Sequence, residues 1–341
     1  MAGSRHDAWQ NAEVIAVDHI ADRIRRIVLR PERPRPARPG EHIDVLASVN
    51  GEQQVRSYSV VEAPENGGQF VITVFRTPES RGGSVFMHSL EPGQVLEVTK
   101  PLQNFPLRIG APSYVLLAGG IGITAIAGMA ALLRRLGADY RLVYVARSRA
   151  AMAYLDDLAA LHGDRFEAHI DDEGGYLDVP ALVGGVPANS ELYMCGPIRL
   201  MDAVRRAWAD RGLDRTNLRY ETFGNSGWFE AEPFVVRVPR LGVEAAVGSG
   251  ESMLEALERE GVDMMSDCRK GECGLCQVKV VVLAGRMDHR DVFDAQRRET
   301  DAPELFDRRF EDGLQHARAA PLNTLALGPS GRLGGAGLWN H

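Results

Sequence analysis

The segment YVLLAGGIGITAIAGMAALL, residues 114–133, decides how the middle of the chain folds. On hydropathy alone it is long enough to cross a bilayer. Its glycines at 119, 120 and 122 interrupt it near the start, which favours a buried strand, Tyr114–Ala118, followed by a helix from about Thr124 to Leu136. We therefore predict a strand, a glycine-rich turn and a helix here, and not a membrane span.

The alternation of strand and helix continues to about Arg211, which predicts a parallel sheet that binds ligands at the carboxyl ends of its strands. Two loops fall at such ends. Gly119-Gly120-Ile121-Gly122-Ile123-Thr124 lets the backbone approach a pyrophosphate and offers the amides of the following helix. Cys195-Gly196-Pro197 ends the last strand that precedes a helix.

A third loop bears on which nucleotide would bind. Arg147, Ser148 and Arg149 follow the strand that should end near an adenosine ribose, and they could meet a 2′-phosphate. Asp171 and Asp172 lie in a different loop and do not settle the question.

From Ala12 to about Arg108, six short apolar runs separated by turns predict a small antiparallel barrel. The fourth run contains Arg56-Ser57-Tyr58-Ser59. Because Arg56 and Tyr58 lie two apart on a strand, they share a face, where one could hold a phosphate while the other packs on a planar cofactor. Gly82-Gly83-Ser84 begins a short helix whose amides and hydroxyl make an anion site. The alternative is an exposed arginine beside a half-buried tyrosine.

The last third of the chain begins with a predicted hairpin and a helix from Glu251 to Glu260, in which Ser252 and Glu255 are set as a capping box. It then reaches the segment DCRKGECGLC, residues 267–276. Cys268, Cys273 and Cys276 have the spacing C-x4-C-x2-C, which opens the plant-type [2Fe–2S] pattern. That pattern needs a fourth cysteine downstream. Zinc is the alternative metal, although zinc sites more often pair two C-x2-C turns with a fourth ligand.

The motif Arg-x-Tyr-Ser, followed by Gly-Gly-Ser at a helix start, resembles the flavin site of the ferredoxin-NADP reductase superfamily. The resemblance implies that Arg56 binds the flavin phosphate, Tyr58 packs on the isoalloxazine and Ser59 lies near its reactive edge. Gly82, Gly83 and Ser84 would complete the phosphate pocket.

The two glycine loops resemble the nicotinamide half of the same superfamily. The resemblance implies that Thr124 and Cys195 flank the nicotinamide ring, with Ala125 replacing the usual proline. It also implies that Phe223 covers the flavin, although Phe223 could equally be an ordinary residue of the hydrophobic core. The remaining nucleotide-binding residues would be Gly119, Gly120, Gly122, Gly196 and Pro197.

A flavin barrel, a nicotinamide domain and a ferredoxin, in this order, resemble the phthalate dioxygenase reductase and vanillate demethylase reductase family over residues 10 to 293. The family implies FMN, NADH and a [2Fe–2S] cluster held by Cys268, Cys273 and Cys276, with the fourth ligand not found. The predicted domains are a flavin-binding β-barrel at 1–110, an NAD-binding α/β domain at 111–226, a ferredoxin-like α+β (β-grasp) domain at 227–293 and a divergent tail at 294–341.

The tail shows no alternating strand pattern, and Cys195, the fourth cysteine of the chain, lies far upstream in another predicted domain. The abrupt change after Asp291 indicates either a shifted reading frame or a divergent C-terminus. Asp301 or Asp307 could replace the missing thiolate as an oxygen ligand, although an aspartate in a loop is more often simply solvated.

By resemblance, the chain is the reductase component of a Rieske-type aromatic oxygenase or O-demethylase. The alternatives are a flavin-only NADH oxidase or diaphorase with a defective ferredoxin domain, and a non-catalytic interaction protein. The net charge of −7, without a Lys/Arg cluster, argues against nucleic-acid binding. The first ten residues lack the apolar segment of a secretion signal, so we expect a cytoplasmic protein. We also expect it to be a monomer and not to bind membranes.

Overall fold

The computed structural model describes residues 9–49, 51–78, 80, 82–223, 233–248, 251–266, 276, 278, 280–284 and 323–327. The chain divides into two compact units, Met1–Phe223 and Gly224–His341. Each unit has its own clusters of buried apolar side chains. Each unit therefore folds around its own core.

Within the described part of residues 9–103, an antiparallel sheet curls into a barrel with the strand order β4-β5-β2-β1-β6-β3-β7. Because β4 pairs with β3 as well as with β5, six of these strands form a ring, and the short β7 extends β3. The predicted barrel is confirmed. Its strands are β1 (Trp9–Ala21), β2 (Ile24–Pro31), β3 (Glu41–Val49), β4 (Glu52–Glu62), β5 (Phe70–Phe75), β6 (Val95–Thr99) and β7 (Leu102–Gln103).

The barrel closes because alternate side chains of its strands point inward. Ile27, Ile43, Phe70 and Val98 come from four different strands and are completely buried together. The short helix α1 (Gly83–His88) adds Met87 to the same core. This contact packs α1 against β3 and β5.

Residues 114–221 form a parallel sheet in the order β10-β9-β8-β11-β12 within the described chain. All of β8 is buried, as expected of a central strand that is covered by helices on both faces. The elements are β8 (Tyr114–Gly119), α2 (Ile123–Arg135), β9 (Tyr140–Ala146), α3 (Leu155–His162), β10 (Phe166–Ile170), α4 (Val179–Gly184), β11 (Glu191–Cys195), α5 (Ile198–Asp210) and β12 (Leu218–Glu221).

The strand order reverses direction between β8 and β11, because the chain first builds outward to β10 and then returns to the other side of β8. Ligands bind at such a switch point, outside the carboxyl ends of the two strands. The segment 114–133 is confirmed as a strand, a glycine turn and a helix, and no helix among the described residues is long and apolar enough to span a membrane.

In the described segments of the second unit, a mixed sheet has the order β14-β13-β16-β15. Helix α6 begins at the predicted capping box, in which Ser252 and Glu255 satisfy each other's backbone amides. The elements are β13 (Phe234–Val238), β14 (Val243–Val247), α6 (Met253–Arg259), β15 (Val280–Ala284) and β16 (Asn323–Leu327).

Several elements differ from the sequence-based expectation, among them helix α4 and strands β7, β12 and β16. Helix α4 was not predicted; it begins after Asp178, whose carboxylate accepts a hydrogen bond from the amide of Ala181 at 2.9 Å. Strand β16 lies in the tail for which no strand was expected, and it pairs in parallel with β13 and antiparallel with β15. The tail therefore contributes a strand to the sheet of the second unit.

Candidate functional site

The start of α1 lies directly against the side chain of Arg56. A Cβ atom at Gly83 would lie only 2.6 Å from Nε of Arg56, and one at Gly82 would lie 2.3 Å from Cγ1 of Val49. Gly82 also has a φ of 99°, which residues with a side chain rarely adopt. The structure thus brings Arg56, Gly82 and Gly83 together as predicted, in a cradle that lacks room for larger residues.

Ser84 completes this cradle from within α1. Its hydroxyl donates a hydrogen bond to Oγ of Ser80 at 2.8 Å and accepts one from the amide of Thr77 at 3.3 Å. These bonds hold the turn before the helix close to its first residues. The predicted anion-binding residues are therefore adjacent, and they lie next to a guanidinium group.

Tyr58 lies two residues after Arg56 on β4 and is half-buried against the barrel core. Burial raises the pKa of its phenol well above the ordinary value, and the nearby Arg56 charge lowers it by less. The ring is therefore neutral at physiological pH, which suits a surface for a planar apolar ring.

Ser59 is buried and pairs with His42 across the β3–β4 ladder. Because side chains alternate along a strand, Ser59 points to the face opposite Arg56 and Tyr58. The structure does not bring its hydroxyl to the face that Tyr58 and Arg56 share.

The two predicted nucleotide loops form one continuous wall. Ala118 and Cys195 are direct partners on the adjacent parallel strands β8 and β11. A Cβ at Gly122 would lie 2.1 Å from the carbonyl oxygen of Cys195, and a Cβ at Gly119 would lie 2.6 Å from Cδ of Pro197. Such distances leave no space for a side chain, so both glycines allow the loops to meet at the switch point of the sheet.

Thr124 and Cys195 are the residues expected beside a nicotinamide ring. The Thr124 hydroxyl donates to the carbonyl of Ile121 at 2.9 Å, and the residue is only 3% exposed. Cys195 is completely buried in the core of the sheet domain. In this structure both side chains are therefore buried.

Sequence reasoning missed a buried carboxylate at the same edge of the sheet. Glu221 ends β12, is only 4% exposed and pairs with Cys195 in the parallel ladder. Phe223 follows two residues later and is 41% exposed. Glu221 can be read directly from the sequence, but its pairing with Cys195 follows only from the order of the strands in the sheet.

The proposed cluster ligands are only partly within the described chain. Cys268 and Cys273 lie outside the described residues, whereas Cys276 is buried in the core of the second unit with Met264 and Val278. Among the described residues there is no group of three or more His, Cys, Asp or Glu side chains that could hold a metal ion. The arrangement of the three cysteines thus stays a prediction.

Comparison with known proteins gives the predicted order of a flavin domain followed by an iron–sulfur domain. Residues 11–106 match the oxidoreductase FAD-binding domain family, and residues 236–304 match the 2Fe-2S iron-sulfur cluster binding domain family. The solved structure of phthalate dioxygenase reductase, described as a modular structure for electron transfer from pyridine nucleotides to [2Fe-2S], superposes with a TM-score of 0.67 at 30% sequence identity. The match covers 85% of this chain and 92% of that one.

Two curated relatives are more similar in sequence. The phenoxybenzoate dioxygenase subunit beta of Ectopseudomonas oleovorans is 40% identical over 260 residues, which cover 75% of this chain and 79% of the relative. The tetrachlorobenzoquinone reductase of Sphingobium chlorophenolicum is 39% identical over 293 residues, which cover 82% and 87%. The chain belongs to the phthalate dioxygenase reductase family.

Membership of the phthalate dioxygenase reductase family confirms the predicted family and fold. The chain is an oxidoreductase with a flavin domain and an iron–sulfur domain. The 2Fe-2S match runs from residue 236 to residue 304 and so includes residues beyond Asp291. The individual roles of the site residues stay predictions.

Proposed function

We propose that this protein is the reductase component of a two-component oxygenase, and that it passes electrons from NADH through FMN and a [2Fe–2S] cluster to a Rieske-type aromatic oxygenase or O-demethylase. The relative named as a subunit of phenoxybenzoate dioxygenase supports an aromatic oxygenase as partner. The similarity to phthalate dioxygenase reductase supports the order of electron flow.

One observation carries the proposal. The first unit contains both the cradle around Arg56 and the nucleotide wall, which the loops at Gly122 and Cys195 form at the switch point between β8 and β11. The close contacts at Gly83 and Gly122 bring these loops together. A Cβ at Gly120, between Gly119 and Gly122, would meet no atom within 4 Å, which leaves space for a pyrophosphate beside the backbone. A bound flavin would supply the conversion of the two electrons of a hydride into single electrons, which is what an iron–sulfur cluster accepts.

The residues of this chain bind and orient, and no general acid or base is required of them. Arg56 would neutralise the flavin phosphate through charge-assisted hydrogen bonds. The neutral ring of Tyr58 would pack on the isoalloxazine, and Phe223 would cover its other side until a nicotinamide replaces it. Thr124 and Cys195 would flank the nicotinamide ring. Ser59 points to the opposite face of β4 from Tyr58, so we assign it no role beside the flavin.

The cluster would be held by Cys268, Cys273 and Cys276. Cys276 is buried among apolar side chains, and such surroundings restrict the access of water to a metal site. The fourth ligand is expected in the region that follows, where Asp301 and Asp307 are the candidates from the sequence.

The test is the anaerobic absorption spectrum of the purified protein, with assays of iron, acid-labile sulfide and released flavin. We expect flavin bands with broad iron–sulfur absorption, FMN in the supernatant after denaturation, and bleaching by NADH. Flavin bands without iron would instead support the flavin-only diaphorase, and a colourless protein would contradict both functions.

A pair of cysteine variants sharpens this test. We expect Cys276→Ser to lose iron and sulfide while it retains flavin, because the thiolate is a cluster ligand. The matched control is Cys195→Ser, which should keep its iron, because Cys195 lies in the sheet of the other unit. Equal iron in the two variants would contradict the assignment of Cys276.

A further inference from the structure

An ion pair joins the two loops at the carboxyl ends of β9 and β10. Nε and Nη2 of Arg149 donate to Oε1 and Oε2 of Glu173 at 2.9 and 2.8 Å. This is the parallel, two-bond geometry in which a guanidinium recognises a carboxylate or a phosphate most strongly. The amide of Asp172 also donates to the carbonyl of Arg147 at 3.0 Å, so backbone and side chains both hold the loops together.

The position of this ion pair matters because β9 is the second strand of the nucleotide-binding sheet, counted outward from β8. In sheets of this topology, the residues after that strand meet the adenosine ribose. An acidic residue there binds the 2′-hydroxyl of NAD, whereas an arginine accommodates the 2′-phosphate of NADP. Arg149 is therefore placed to bind a 2′-phosphate, but its guanidinium already donates to the carboxylate of Glu173.

The carboxylates around Arg149 also disfavour the binding of a 2′-phosphate. The hydrogen bonds that Arg149 donates to Glu173 raise the pKa of Arg149, with smaller contributions from the charges of Asp156 and Asp172, and the Arg149 guanidinium lowers the pKa of the Glu173 carboxyl. Both partners are thus fully charged at neutral pH. A doubly negative 2′-phosphate would have to displace one carboxylate and lie near two others.

We infer that Glu173 determines the preference of this reductase for NADH over NADPH, by occupying the guanidinium of Arg149 that would otherwise bind a 2′-phosphate. This inference rests on the proposed nicotinamide-dependent function. It adds to that function a specificity residue which the motif Arg147-Ser148-Arg149 does not reveal, because Glu173 comes from another loop.

The experiment compares kcat/KM for NADH and NADPH in the flavin-loaded protein, with ferricyanide as electron acceptor. We expect Glu173→Gln to raise the ratio of NADPH to NADH efficiency by roughly tenfold or more, because one charge-assisted interaction becomes available to the phosphate. The double variant Arg149→Gln/Glu173→Gln should lose this gain, since the freed guanidinium is then missing.

The matched control is Glu167→Gln. Glu167 pairs with Arg141 between strands β9 and β10 and also hydrogen-bonds His169, so the substitution removes one carboxylate charge from another ion pair of the same two strands. Arg141 lies near the start of β9, roughly 15 Å from the carboxyl end. The control should leave the coenzyme ratio unchanged.

The outcomes separate the two proposals. If the wild-type protein oxidises NADH and Glu173→Gln leaves the ratio unchanged, the role of Glu173 is wrong and the proposed function stands. A gain that persists in the double variant, or that Glu167→Gln reproduces, also contradicts the inference. A flavin-loaded protein that oxidises neither nucleotide overturns the proposed function itself.

Discussion

The two units hold their functional loops by different physical means. In the first unit, the loops at Gly122 and Cys195 approach within a distance that a single Cβ would fill, and the start of α1 approaches Arg56 in the same way. In the second unit, Cys276 is the described one of three cysteines that we propose as cluster ligands, and iron would bring their thiolates together. Thiolates repel one another until a metal neutralises them, so such a site forms together with its metal.

The difference implies that packing builds the nucleotide wall before any ligand arrives, whereas cluster assembly is part of folding in the second unit. Variants can test this distinction one unit at a time.

The largest effect is expected for Gly122→Ala. The new methyl group would lie 2.1 Å from a backbone oxygen that cannot rotate away, so the two loops must separate. We expect the rate of flavin reduction by NADH to fall by roughly 100-fold, because small misplacements of reacting groups are this costly. The free energy of unfolding of the first unit should fall by about 2 kcal/mol.

Gly184→Ala is the control for this substitution. Gly184 ends α4, and a Cβ there would meet no atom within 4 Å. The control should leave stability and flavin reduction near the wild-type values. If both variants behave alike, close packing of the loops is not what maintains the nucleotide wall.

An intermediate effect is expected for Arg56→Gln. The variant keeps a hydrogen-bonding side chain but loses the charge, and we expect the dissociation constant of FMN to rise by roughly 10- to 100-fold. Release of the fluorescent flavin on dilution measures this change. The iron content of the second unit should be unaffected.

Arg30→Gln provides the comparison, because Arg30 is an exposed arginine of the same barrel that pairs with Glu13. Flavin affinity should remain unchanged in this variant. A comparable loss of affinity in both variants would show that the general charge of the barrel, and not the cradle, attracts the phosphate.

The smallest effect is expected for the helix caps, which offer one equivalent variant in each unit. Ser252→Ala removes the capping box of α6, and Asp178→Ala removes the cap of α4. Each should cost about 1 kcal/mol of stability. Hydrogen exchange should locate the loss in the second unit for Ser252→Ala and in the first unit for Asp178→Ala. Loss of protection in both units from either variant would show that they unfold together.

Local patterns were sufficient to predict much of this molecule. Alternating apolar residues predicted the barrel, the glycines at 119, 120 and 122 separated a strand from a helix, and Ser252 with Glu255 located the start of α6. These signals lie within a few residues of one another, so the sequence displays them directly.

The features that sequence reasoning missed depend on residues that are distant in the chain. Glu221 acquires its position beside Cys195 from the pairing of β11 with β12, and Glu173 reaches Arg149 from a neighbouring loop. Strand β16 has a short apolar pattern whose partners, β13 and β15, lie far upstream. Such relationships follow from the topology and not from the local pattern.

The place of β16 also bears on how the protein is synthesised. It lies between β13 and β15 in the sheet, yet the ribosome makes it after both. Until Asn323–Leu327 leaves the exit tunnel, β13 and β15 each present an unpaired edge, the kind of surface that joins other chains. The first unit can fold during translation, whereas the sheet of the second unit closes only when synthesis reaches this strand. Slow translation of this region would therefore prolong the period in which nascent chains can associate.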